Sequence, residues 1–453
     1  MFDNILKIYI FLPFLIVLLC LFCFLFRKNN LCAFLSKIYS IFNLILSTLF
    51  LTKIQNFNYN IEAIFLFILS VVVFSIAFIS KNYIQKYNSF FNLALVLLCG
   101  ILNLFILSNN IFLSLGLIFC FFIISYFLNC TFILKKDEKR TFDYQLIYDF
   151  ILCFISLFLI SYLKLDDFSF LNIAHTLPFC DKFALICAFF GFLILGLRLL
   201  NFSFFSFKSI KNADLLNNLV FLFLFILSLI SGCVFLYKTF DIFNMIFQKY
   251  QNIITSYFIF NFIYLIFLSY KQNSMFKILA YYNCAYLSLA FLVLFNNKSS
   301  DIFIYYIFIL IFSYFLSLLI SAFIYSKLKI KDVFEFKKLK KEDKTLKALI
   351  LYSFLNIINI PFLGLFIPFL FCILEISKNQ DFLWGIFVIA FGCFIGVCSI
   401  YNLLNKILIE SVDYREDGII LRKTDGFIFS FLILIIIFSG LFILKDGFKC
   451  LMY

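Results

Sequence analysis

Charge is scarce in this chain. Charged residues make up 13% of the 453, about half the share of an ordinary soluble domain. Histidine occurs once, as His175, in a stretch expected to be a solvated outside loop, which argues against a pH switch there. There is no glycine-rich loop to cradle phosphate, no cluster of metal-ligand residues and no haem-attachment signature. No nucleotide, metal or redox cofactor is therefore expected in this chain. Polar stretches are too short to fold as a separate soluble domain. The longest is SKLKIKDVFEFKKLKKEDKTLK, residues 326–347. It is expected to form a basic amphipathic helix on the cytoplasmic surface, against lipid headgroups or as a docking surface for a partner. Glycine, proline, tryptophan and methionine are also sparse, while Phe, Ile, Leu, Lys, Asn and Tyr crowd the chain. That bias follows from an AT-rich coding sequence, so the phenylalanine excess says little about function.

What the chain has in quantity is apolar surface. Apolar residues make up 65% of it, more than a soluble core of this length can hide. A bilayer is the solvent that accepts them. Apolar segments long enough to span recur near 6–26, 32–52, 61–80, 89–108, 110–133, 144–163, 179–200, 214–237, 250–269, 274–296, 302–326, 346–374, 382–409 and 425–445, about fourteen helices in all. Alternation of barrel length is not visible, and backbone groups in lipid must be satisfied internally, so an all-α polytopic membrane protein is expected. The first run is too long for a signal peptide and lacks a small-residue cleavage site, so it reads as a retained span. Most of the fifteen cysteines sit inside spans, where cysteine behaves as a small hydrophobe. Cys20 and Cys23 form a CxxC inside the first span, without a second pair or a nearby histidine, and carry no metal or redox expectation.

The net charge of +13 would suggest nucleic acid on a soluble domain. Here the cations lie between spans and act as topology signals. Assigning the connections alternately to two sides puts roughly 25 basic residues on one and about 10 on the other. The rich side, which includes Lys81, Lys86, Lys277 and the lysines of 327–347, is expected to be cytoplasmic, and both termini then lie outside.

Three stretches, in order, resemble one family. The first is FKILAYYNCAYLSLAF, residues 276–291, where a lysine is followed by Ala280, Tyr281, Tyr282, Asn283 and Tyr286. The second runs from Asp332 through Lys337, Lys338 and Leu339 to Asn359, Pro361 and Gly364. The third is LDDFSFLNIA, residues 165–174. Together they are similar to the antiporter-like membrane subunits of proton-pumping NADH:quinone oxidoreductase, respiratory complex I, and within it to the N subunit. The likeness covers about residues 90–410, and each motif is degenerate.

The resemblance implies two inverted five-helix repeats, each with one broken helix. The boundaries are then 1–88 for an N-terminal three-helix segment, 89–245 for the first repeat, 246–410 for the second and 411–453 for a C-terminal helix. Proline removes a ladder donor, so Pro361, Gly364 and Pro368 mark the second break; the first falls near Gly196. Lys277 would stand at the cytoplasmic entry of its helix, and the polar cluster behind it, Tyr286 included, would line a hydrated interior.

A proton path through lipid needs ionisable groups linked by polar residues and water. The family carries an intramembrane glutamate on its fifth helix and lysines on its seventh, eighth and twelfth. This chain departs from each. Gly116-Leu117-Ile118 puts isoleucine at the glutamate position, Gly196-Leu197-Arg198 offers arginine for the first lysine, the second falls at Leu227 or Ser228, and the third at Phe369. Arginine keeps its charge and is poorly suited to trading its own proton. Asp149, Lys238, Asp241, Glu375 and Lys37 are further embedded or near-embedded groups. For these the simpler reading is a side chain snorkelling to the interface. The proton-path candidates are therefore Arg198, Asp149, Lys238, Lys277, Tyr286 and Glu375.

What the resemblance implies about function is a membrane-arm subunit of complex I in a bacterial inner membrane, with weakened or lost pumping of its own. Quinone, flavin and iron–sulfur clusters would belong to partner subunits, and the partners would be other membrane subunits and the bilayer, without nucleic acid. The alternatives are a stand-alone secondary transporter or flippase, and a related subunit of a cation/proton antiporter or membrane hydrogenase.

Overall fold

The computed structural model describes residues 2–26, 29–53, 57–84, 88–132, 147–156, 158, 196, 215–272, 274–297, 300–328, 344–359, 363–377, 383–408 and 422–451. Among these residues the regular structure is α-helix: α1 (Phe2–Leu25), α2 (Asn29–Lys53), α3 (Phe57–Tyr83), α4 (Asn88–Leu107), α5 (Ile111–Phe132), α6 (Ile147–Ser156), α7 (Leu215–Lys249), α8 (Gln251–Tyr270), α9 (Met275–Asn297), α10 (Ser300–Leu328), α11 (Lys344–Ile357), α12 (Phe366–Ser377), α13 (Leu383–Leu408) and α14 (Lys423–Leu451). Nine helices among the described residues are long and apolar enough to cross a membrane. Helix is the form that satisfies every backbone donor and acceptor within the segment. The chain is an all-α polytopic membrane protein, and the predicted spans are helical where they fall on described residues, except that 346–374 is split into α11 and α12.

The chain divides into two compact units, residues 1–246 and 247–453. In the first, α4 is the hub and packs against α1, α2, α3 and α5. Phe91 of α4 meets Phe132 of α5 edge-on at 6.2 Å and Phe223 of α7 at 5.8 Å. A neutral polar seam joins α2 to α4. Ser36 donates to Asn92 at 2.8 Å, Tyr39 and Asn43 both donate to the Cys99 sulfur at 3.2 and 3.5 Å, and Asn103 donates to Asn43 at 3.3 Å. Farther along α2, Ser47 and Ser70 of α3 share a hydrogen bond of 2.7 Å. Hydrogen bonds of this kind hold membrane helices together where burial of apolar surface cannot, because lipid is as apolar as leucine.

In the second unit α9 and α10 are the interior helices. α9 packs against α8, α10 and α12, and α10 against α11, α12 and α14. Three glycines of α13 face its neighbours. A Cβ on Gly385 would lie 2.6 Å from Ile259, one on Gly392 would lie 2.8 Å from Phe262, and one on Gly396 would lie 3.2 Å from the Tyr282 hydroxyl. Small residues let helices approach closely in lipid, and here they seat α13 against α8 and against a tyrosine of α9. The outward faces carry large apolar side chains, among them Phe260 and Phe267 of α8 and Phe387, Phe391 and Phe394 of α13, as a lipid-facing surface does.

Candidate functional site

The first unit holds a charge site at the end of α4. A helix leaves its last carbonyls without intrahelical partners and with a partial negative charge. Ser108 meets part of that need, donating its N–H and its hydroxyl to the Phe105 carbonyl at 3.3 and 2.8 Å, and Lys238, on α7, meets more of it. Its ammonium donates to the carbonyls of Phe105 at 3.2 Å, Ile106 at 2.7 Å and Ser108 at 2.7 Å. The Glu62 carboxylate on α3 lies 3.9 Å away, and the two side chains are 11% and 19% exposed. The Phe105 ring lies 5.8 Å from the ammonium, within cation–π reach. The turn beyond is tied down as well. Asn110 accepts from the backbone N–H of Phe112 and Leu113 at 2.9 and 3.3 Å and so caps α5, while the Ser108 and Ser114 hydroxyls share a hydrogen bond of 2.7 Å. One lysine thus joins α3, α7 and the α4–α5 hairpin.

The second unit holds a polar centre where helix is interrupted between Ile357 of α11 and Phe366 of α12. Asn359 adopts φ 54°, a left-handed conformation that asparagine tolerates and that ends helices. Asn356 bridges the interruption. Its amide donates to Ser313 of α10 at 2.7 Å, and its oxygen accepts the backbone N–H of Leu365 at 3.3 Å. Gly364 lies in the interruption, where a Cβ would meet the Ile436 side chain at 2.7 Å and its carbonyl oxygen at 3.0 Å.

On α9, Tyr282 donates its hydroxyl to the Gly396 carbonyl at 2.7 Å. Tyr286 is buried, stacked on Tyr282 at 6.3 Å and edge-on to Phe369 of α12 at 6.3 Å. Phe369, which the resemblance sets against a lysine of the family's twelfth helix, packs its ring in the core. The Asn283 and Asn359 amides and the Tyr306 hydroxyl are buried without a hydrogen-bonding partner among the described residues. Burying such groups dry costs several kcal/mol, on the order of 1–3 each, so they are the places where ordered water has work to do.

The remaining sequence candidates fall as follows. Asp149 is 7% exposed on α6. Lys277 is half-buried in the first turn of α9. Gly196 is buried, and a Cβ there would collide with Leu236 of α7. Pro368 stands in the first turn of α12, where a missing N–H costs least. Glu375 belongs to α12, but its side chain lies outside the described residues, as do Arg198 and Pro361. Lys37 of α2 sits 5.2 Å from the Phe78 ring. Two residues had no place among the candidates. Neither Glu62, a charge near the start of a span, nor Asn356, one polar residue in an apolar run, is singled out by the sequence. For Glu62 the available signal was an acid just inside a span, which is costly unless a cation answers it.

No protein-family model matches the chain, and no curated protein sequence matches it. Solved structures do. One chain of the membrane-bound sulfane sulfur reductase, an archaeal respiratory membrane complex, superposes with a TM-score of 0.80 at 11% identity, covering 97% of this chain and 95% of that one. One chain of respiratory complex I from Thermus thermophilus superposes with a TM-score of 0.79 at 15% identity, covering 96% and 95%. The chain thus shares its fold, over nearly its whole length, with one chain of each of these two respiratory complexes.

Proposed function

We propose that the chain is a membrane-arm subunit, of the N type, in a proton-translocating NADH:quinone oxidoreductase of the complex I kind, sited in a bacterial inner membrane. The observation that carries this reading is the full-length likeness of fold to a complex I chain, joined to the three ordered stretches at 165–174, 276–291 and 332–364. Redox energy is released in other subunits, which hold the flavin, iron–sulfur clusters and quinone. This chain supplies polar helices through which charge is moved or conformational change is passed on. Its own pumping is weakened, because isoleucine and phenylalanine stand at two of the positions that carry charge in the family. Among the described residues the Glu62–Lys238 pair and the buried acids Asp149 and Asp425 are charged groups available to take part, beside the sequence candidates Arg198, Lys277 and Glu375.

The test is purification of the tagged chain in mild detergent, followed by a native gel and mass spectrometry of the band. A large assembly containing quinone-reductase subunits is expected. A band of monomer or dimer size without such partners would sink the reading and favour a stand-alone transporter. The likeness to the sulfane sulfur reductase chain supports a second reading, a subunit of a related respiratory complex with another electron acceptor. Partner identity in the same band separates the two.

A further inference from the structure

The carbonyls of Phe105, Ile106 and Ser108 converge on one point from the end of α4, and the Glu62 carboxylate stands beside it. Main-chain carbonyls at the negative end of a helix suit a monovalent cation, and the Glu62 carboxylate, 3.9 Å from the ammonium, adds negative charge beside them. The set is poor for calcium or magnesium, which want six or more hard oxygens with more carboxylate charge. The group at that point is an ammonium, whose charge equals potassium's and whose size is close to it. Its N–H donors reach all three carbonyls.

We propose that the end of α4 and Glu62 form a binding site for a potassium-sized monovalent cation, in which the Lys238 ammonium is the resident ion, tethered to α7. This goes beyond the subunit reading and does not rest on it. Tethering makes the site's occupancy independent of the surrounding salt and converts cation binding into a fixed link between α7 and the α4–α5 hairpin. Shortening the tether leaves the carbonyl cup and Glu62 in place, and a free cation then takes the ammonium's position.

The experiment uses the full chain, with whatever partners it retains, purified in 0.3 M potassium chloride (roughly the strength at which surface charge is screened). Thermal unfolding is then followed after exchange into potassium, sodium, lithium or N-methylglucamine chloride at equal ionic strength. The wild type is expected to unfold at one temperature in all four. Lys238→Ala is expected to unfold about 5 °C lower in N-methylglucamine and to recover most of that loss in potassium. Recovery is expected to be saturable, smaller in sodium and least in lithium. Lys238→Ala/Glu62→Gln is expected to lose the recovery, and Lys238→Arg, whose guanidinium is too broad for the cup, to be unresponsive to salt. Equal behaviour of Lys238→Ala in all four salts would overturn the proposal. So would failure to obtain folded Lys238→Ala even in potassium, or recovery that survives Glu62→Gln unchanged.

Discussion

At the scale of single residues, the polar centre of the second unit depends on side chains that sit singly in apolar sequence. Asn356 is one residue with two long-range duties, the Ser313 hydroxyl and the Leu365 N–H. Removing it leaves both partners buried and unmet. Asn356→Ala is expected to lower stability by about 1–3 kcal/mol, read as a fall in unfolding temperature in detergent. An unchanged midpoint would mean that the bridge carries no weight. Tyr286→Phe separates packing from proton chemistry. The ring contacts to Tyr282, Phe262 and Phe369 survive the change, so stability is expected to move by less than about 1 kcal/mol. If the hydroxyl serves a proton path, protons moved per electron pair in the purified assembly fall while the unfolding temperature holds. The sequence singles out Tyr286 because it stands behind a lysine in a run that resembles the family. It does not single out Asn356 and Glu62, because their meaning lies in Ser313 and Lys238, partners that no local pattern specifies.

At the scale of elements, apolar length was enough to find the helices, since a bilayer rewards little else. Their ends were less legible. The sequence reading closes the eighth span at 237, yet α7 continues to Lys249, and α8 begins at Gln251. The residues after Lys238 are polar enough to leave the apolar layer, but nothing among them breaks a helix. How the helices meet was legible least of all, because glycines at contacts and glycines facing outward look alike in a sequence. Gly364 and Gly116 make the contrast testable. A Cβ at 364 meets Ile436 side chain and backbone, whereas nothing lies within 4 Å of one at 116. Gly364→Ala is expected to cost about 1–3 kcal/mol through overpacking. Gly116→Ala is expected to be neutral or to stabilise by up to about 1 kcal/mol, by removing glycine's backbone freedom from a helix. Paired unfolding midpoints decide it, and equal effects would refute the close approach of α14 to the interruption.

At the scale of the whole molecule, topology and contact constrain each other. Alternation over the fourteen predicted spans puts the start of α3, the end of α4 and residue 238 on one side of the membrane. The contact of Lys238 with Glu62 and with residues 105–108 meets that requirement, which a miscounted span between residues 108 and 238 would break. The charge asymmetry gives the expected side. The connection holding Lys81 and Lys86 is cation-rich and is expected in the cytoplasm, which would put the α4–α5 turn outside. Labelling with a membrane-impermeant maleimide reads this directly, in a background without other accessible thiols. Asn109→Cys, exposed in the α4–α5 turn, is expected to label in intact cells. Gln85→Cys, between Lys81 and Lys86, is expected to label only after permeabilisation. The reverse pattern would invert the whole assignment and place the Lys238 site on the cytoplasmic face. Labelling of both positions from one side would require a different number of crossings, because α4 alone separates them.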